Sequence, residues 1–301
     1  MRGLISERSA PVLFVLLWST GFIGIKYGIP YAPPFTFIAI RMAIASLLLI
    51  ILALLITKKF IHDWPTIGKS SLVGLAIHGA YLGGCFYGVK HGMPAGITAL
   101  IVSLQPVLVS VLSSLFFGEK LTLTKTAGLT LGLVGLVLVI LPKLLTSSAQ
   151  SLPLVGVVAV IIALLGSTTG TLLQKRFGSG IEVLSGTAWQ YLATGLVMLM
   201  LALAFEKGEQ VIWSFSFIAS LMWLIVVLSI GAILILYYLL AKQSAASVSS
   251  LYYLVPGVTA IEAYFLFQEK FTLVSGVGTL ITIAGVALVV RKTKTLTIEA
   301  T

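Results

Sequence analysis

The chain alternates between long apolar runs and short polar punctuation. Ten apolar segments stand out, at about 11–28, 34–57, 68–88, 95–116, 124–141, 154–174, 181–204, 218–240, 245–267 and 272–290. Each is near the ~20 residues a helix needs to cross hydrocarbon. None shows the regular alternation of a barrel strand, and backbone groups in lipid must find partners within their own segment. The pattern predicts an all-α integral membrane protein with ten transmembrane helices. The connections carry Pro, Gly, Ser or charge: 31–34 reads YAPP, 118–122 GEKLT and 143–153 KLLTSSAQSLP.

Composition agrees. Of 301 residues, 58% are apolar and 9% charged, against about 25% charged in a soluble domain. Too few solvated groups remain to cover a water-exposed surface. This excludes a soluble enzyme and a disordered tail protein. The net charge of +10 does not point to nucleic acid, because the basic residues lie singly or in pairs between apolar runs. They follow the positive-inside rule instead. With the N-terminus in the cytoplasm, thirteen of the nineteen Lys and Arg face inward, and Lys90, Lys143, Lys207 and Lys270 face outward. Both termini are then cytoplasmic, and the bilayer partner is a bacterial-type inner (plasma) membrane. Cys85 is the single cysteine and the chain has no Asn, which excludes an intrachain disulfide and an N-glycosylation sequon. The basic start MRGLISERSAPVLF lacks a small-residue cleavage site and reads as the lead-in to the first span.

An internal repeat organises the spans. Residues 118–140 align with 268–290, with eight of 23 positions identical, including Glu119-Lys120 with Glu269-Lys270, and Gly128 and Gly135 with Gly278 and Gly285. The 150-residue offset also places Pro106 on Pro256. Residues 1–147 and 148–301 thus read as two copies of a five-helix unit. Five is odd, so the second copy enters the membrane inverted, an architecture of transporters that hold substrate near the midplane.

These residues resemble the drug/metabolite transporter superfamily in its ten-helix EamA-type branch. The resemblance is carried by LLWSTGFIGIKYG at 16–28, FIAIRMAIASLLL at 37–49, LIVSLQPVLVSVLSSLFFGEKLT at 100–122 and EKFT at 269–272. It implies two inverted bundles around a central cavity lined by helices 1, 3, 4, 6, 8 and 9. It also implies transport of amino acids or other small metabolites, with neither substrate nor direction fixed.

The candidate site residues are the polar groups inside spans. An ionisable side chain at the bilayer centre costs roughly 2.5–3.5 kcal/mol on insertion scales and usually faces protein or water. At about 1.5 Å per residue, Lys26, Arg41 and Glu262 reach similar depth. Glu262 is expected to face the interior and neutralise Lys26 or Arg41, as a coupling group or a structural ion pair. The plain alternative for Lys26 and Arg41 is snorkelling to the interface. His78, midway along helix 3, is either a titratable group or a packing residue. Pro106 and Pro256 break helices 4 and 9 and free backbone carbonyls. Gln105, Tyr252 and Tyr253 lie beside those breaks. Trp18-Ser19-Thr20 and Ser167-Thr168 are mid-span, suited to substrate contact or close packing. Tyr81 and Trp189-Gln190-Tyr191 could stack on a substrate. Gly128-x-x-x-Gly132 would serve tight helix contact, and a homodimer is allowed.

Gly68-Lys69-Ser70 is a decoy, because Asp63 stands where a phosphate loop needs its first Gly. With one Cys, three His and one Asp, neither metal site nor catalytic cluster is expected, and no cofactor. The leading reading is a secondary carrier working by alternating access, most simply exporting amino acids or related zwitterions, with proton coupling open. The alternatives are an exporter of lipophilic cations, a channel, or a non-transporting subunit.

Overall fold

The computed structural model describes residues 9–58, 60–93, 98, 101–146, 153–267 and 272–290. Among these the chain is helical, without strands. The helices are α1 (Ala10–Gly28), α2 (Pro34–Thr57), α3 (Trp64–Lys90), α4 (Gln105–Phe117), α5 (Leu123–Thr146), α6 (Leu154–Phe177), α7 (Val183–Phe205), α8 (Phe215–Lys242), α9 (Ala245–Ser250), α10 (Leu254–Phe267) and α11 (Leu273–Val290). Six of them, α2, α3, α6, α7, α8 and α11, are long and apolar enough to cross a membrane. The others are shorter or interrupted.

Helix starts are made by side chains that satisfy the first free N–H groups. Asp63 accepts from the Thr66 N–H at 3.0 Å, Glu182 from Leu184 and Ser185 at 3.1 and 2.7 Å, and Ser214 from Phe217 at 3.2 Å. α2 opens on Pro34, and its free N–H groups are met from a distance: Glu206, just past α7, accepts from Phe35 and Thr36 at 2.7 and 2.8 Å. Thr66 holds the Asp63 carboxyl below its ordinary 3.8.

Four packed pairs set the architecture. α5 and α11 are antiparallel and touch through backbone. A Cβ on Gly135 would lie 2.6 Å from the Gly278 carbonyl oxygen, and one on Gly285 would lie 2.6 Å from that of Gly128. α2 and α7 are also antiparallel, with the Ser46 hydroxyl donating to the Ala188 carbonyl at 2.9 Å. α3 meets α6 where Gly84 approaches the Ala159 carbonyl and Gly166 approaches Ala80. α1 runs parallel to 252–262: Phe14 meets Tyr252, and Ser19 meets Thr259 and Glu262.

Two features depart from the expected continuous spans. Residues 245–267 divide into α9, a 3-10 turn at Leu251–Tyr253, and α10. α4 begins at Gln105 after a turn at 103–104. Pro106 and Pro256 therefore stand in the first turn of a helix, where a missing N–H costs nothing, and not at a mid-helix kink. Second, α3 and α8 each widen into π-helix mid-span, at Leu75–Ala80 and Leu224–Ala232, as α2 does at its end, Ala53–Thr57. Such widening often marks functional positions.

Candidate functional site

The expected site residues divide into three groups. The first lies between α1 and α10. Phe14, Trp18 and Tyr252 form an aromatic corner with ring centroids 5.3–5.4 Å apart. Beside it the Ser19 hydroxyl is 2.6 Å from Glu262 Oε1 and 2.8 Å from the Leu16 carbonyl. One proton serves one acceptor, and the charged one binds more strongly. Glu262 Oε2 is buried and has no partner among the described residues. Thr20 is engaged at the helix surface, accepting from Trp223 Nε1 at 3.0 Å. Tyr81 sits within electrostatic range of Tyr252.

The second group is the polar chain at the π segments. His78 is 4% exposed and edge-on to Tyr191, with ring centroids 4.8 Å apart. Tyr237 donates its single proton to Gln190 Oε1 at 2.5 Å. His78 Nε2, 3.3 Å from the same phenol oxygen, must then be the donor there. Gln190 Nε2 donates on to Gln174 Oε1 at 3.1 Å. The chain ends beside a polar pocket of about 20 Å³ bounded in part by Ser70, Gln174, Gln190 and Tyr237, room for about one water. At its other end Arg41, 7% exposed, donates from Nε to Ser229 Oγ at 2.9 Å. Tyr191 donates to the Ser229 carbonyl at 2.5 Å.

The third group is engaged between helices or with its own backbone. Gln105 donates to the Ser167 carbonyl and Thr171 Oγ1 at 3.2 and 3.0 Å, joining α4 to α6. The hydroxyls of Ser167 and Thr168 bond back to the Leu164 carbonyl at 3.0 and 2.7 Å. The Tyr253 ring covers Gly132 of α5. Trp189, read as deep, instead reaches the Ile61 carbonyl in the connection before α3, at 3.2 Å.

One expected pairing is not made. Arg41 meets Ser229 and Glu262 meets Ser19, so Glu262 does not neutralise Arg41. The side chain of Lys26 lies outside the described residues. Sequence reasoning also missed Ser229, Tyr237 and Gln174. A serine and a tyrosine inside the apolar run 218–240 were the available signal, and tyrosine there also reads as an interface anchor. The glycines of α5 are used within the chain, against α11 and Tyr253, which leaves them no free seam for a second copy.

The profile of the EamA-like transporter family matches residues 10–141 and 154–291. The chain belongs to the EamA-like transporter family. The residues that suggested the drug/metabolite transporter superfamily therefore identified it correctly, and the family is one of transporters, not enzymes. This family member is 28% identical to the uncharacterized transporter YvbV of Bacillus subtilis (strain 168), over 98% of this chain and 95% of that protein. It is 25% identical to a probable amino-acid metabolite efflux pump of Escherichia coli (strain K12), over 91% of each. A crystal structure at 19% identity has the same fold, with a TM-score of 0.78 over 94% of this chain and 98% of that one. Apolar helices and transporter relatives together make it a multi-pass membrane protein.

Proposed function

We propose that this transporter is a secondary carrier of the inner membrane, exporting amino acids or related zwitterions by alternating access, with proton coupling through Glu262. In this reading α9 and α10 form one interrupted span, so ten spans make two inverted five-helix repeats with both termini cytoplasmic. Several observations support the repeat. The two family matches fall one in each half. The π segments at 75–80 and 224–232 fall at the same 150-residue offset as the sequence repeat. The repeat glycines meet crosswise in space, Gly135 with Gly278 and Gly128 with Gly285.

One observation carries the functional reading. Of the described carboxylates, Glu262 alone stands well inside a helix and away from any cap, and one of its oxygens is buried with no partner among the described residues. A carboxylate in that setting can hold a proton or a substrate ammonium in turn. The E. coli relative's name supports amino-acid metabolites as the cargo and efflux as the direction.

The test is counterflow in proteoliposomes loaded with unlabelled amino acids. Saturable uptake of a labelled one, accelerated by an imposed pH gradient, is expected. In Glu262→Gln the gradient effect should vanish while some counterflow remains. A gradient effect that survives in that variant sinks coupling at Glu262.

A second reading has its own support. The Phe14–Trp18–Tyr252 corner beside Glu262 would suit a lipophilic cation, through ring faces and one acid. Ethidium efflux lost in Glu262→Gln, with no amino-acid counterflow, would favour it.

A further inference from the structure

Arg41 is a buried cation to which no described carboxylate is assigned. The chain has nine acidic side chains, and Glu7, Glu269 and Glu299 lie outside the described residues. The six others are engaged elsewhere. Asp63 and Glu182 cap their helices, Glu206 binds the start of α2, and Glu119 accepts from the Ala245 N–H. Glu209 pairs with Lys90 at 2.5 Å, and Glu262 holds Ser19. A guanidinium that is 7% exposed and lacks a counter-charge is costly to bury. Only its Nε–H is used, on Ser229. The terminal amines, with four N–H donors, meet no acceptor among the described residues.

The surroundings also favour a visiting anion. Ser229 spends a lone pair on Arg41, which leaves its hydroxyl proton to give. The Ser229 carbonyl accepts from Tyr191. His78 nearby is a donor toward Tyr237. These groups meet where α2, α7 and the two π segments pack.

We infer that Arg41, backed by Ser229, is the carboxylate-binding group of the transport site and takes the acid end of the substrate on its terminal amines. The planar fork of Arg matches a carboxylate through two parallel hydrogen bonds. One guanidinium balances one monoanion, which selects against phosphates and other polyanions. The inference rests on the carrier reading above, and it adds a second pole: Arg41 for the acid, apart from Glu262.

The test uses the full chain in detergent and follows thermal unfolding. Probes are butyrate, each proteinogenic L-amino acid, the corresponding carboxamides, and chloride at matched ionic strength. In wild type, carboxylates are expected to bind about tenfold more tightly than their carboxamides, as suits one charge-assisted contact. Arg41→Gln should erase that preference. Arg41→Lys, which keeps the charge without the fork, should retain part of it, and Ser229→Ala should weaken it. If Arg41→Gln fails to fold, Arg41→Lys and Ser229→Ala decide. Stabilisation by butyrate without any amino acid upholds the inference and removes the amino-acid reading. An acid-over-amide preference unchanged in these variants overturns the inference, as does a wild type that responds to no carboxylate or equally to chloride.

Discussion

Two antiparallel helix pairs divide the labour of this protein. In α5–α11 the surfaces are glycines, and an added Cβ would meet facing backbone atoms at 2.5–2.7 Å. Ser275 and Thr282 there bond to main-chain carbonyls, at 3.1 and 2.8 Å. In α2–α7 the helices stand further apart. A Cβ on Gly195 would meet Met42 at an ordinary 3.4 Å, and the space admits Arg41 and Tyr191. Lipid offers helices no hydrophobic reward for pairing, so close packing and internal hydrogen bonds must hold them. The first pair uses closeness. The second gives some of it up to house charge and hydrogen-bonding groups.

The same substitution should break one pair and spare the other. Gly278→Ala is expected to cost about 3 kcal/mol, the upper end for overpacking, because the clash is with the Gly135 carbonyl and a flexible side chain cannot yield. Gly195→Ala is expected to be near neutral. Thermal unfolding of both variants in detergent reads the difference directly, and equal losses would dissolve the contrast. Next in size, Glu206→Ala removes three bonds, to the Phe35 and Thr36 N–H groups and the Thr36 hydroxyl. It should cost about 2 kcal/mol and loosen the end of α2–α7 at the start of α2 without touching α5–α11. Hydrogen exchange at the start of α2 would localise that loss.

The smallest effect is a pH dependence outside both pairs. Thr66 lowers the Asp63 carboxyl from 3.8, through its side chain and its N–H. A depressed folded value means that the cap stabilises the protein above the ordinary value. That contribution disappears as pH falls through the lowered one. Asp63→Ala should therefore differ slightly from wild type at neutral pH, and the two should converge in acid. A gap that persists in acid strong enough to protonate the capped carboxyl would mean that Asp63 acts by packing.

The sequence revealed helices better than it revealed their interruptions. The run 154–174 became Leu154–Phe177, and 181–204 became Val183–Phe205, because length and apolar content alone govern such spans. The glycine correspondence was legible for a similar reason: small residues recur where backbones must touch. The π segments were not. Their widening depends on where carbonyls such as that of Ser229 find partners across the bundle, and no local composition encodes it. Arg41 and Glu262 were found as isolated charges, but of the two partners expected for Glu262, Arg41 meets Ser229 instead and the side chain of Lys26 lies outside the described residues. Similar depth along two helices says nothing of the angle at which each side chain leaves its helix. Ser167 and Thr168, polar at the right depth, hydrogen-bond back to their own helix, and the Tyr253 ring lies on Gly132, contacts that depth alone does not reveal.

Both of these pairs join a helix before residue 147 to one after residue 153. The halves thus exchange partners and do not close on themselves. A gene cut between those codons would sever one covalent link and leave both junctions whole, so two coexpressed fragments retain everything needed to reassemble. Either fragment alone would present glycine notches with nothing to fill them. In that sense the chain is a heterodimer whose subunits share one reading frame.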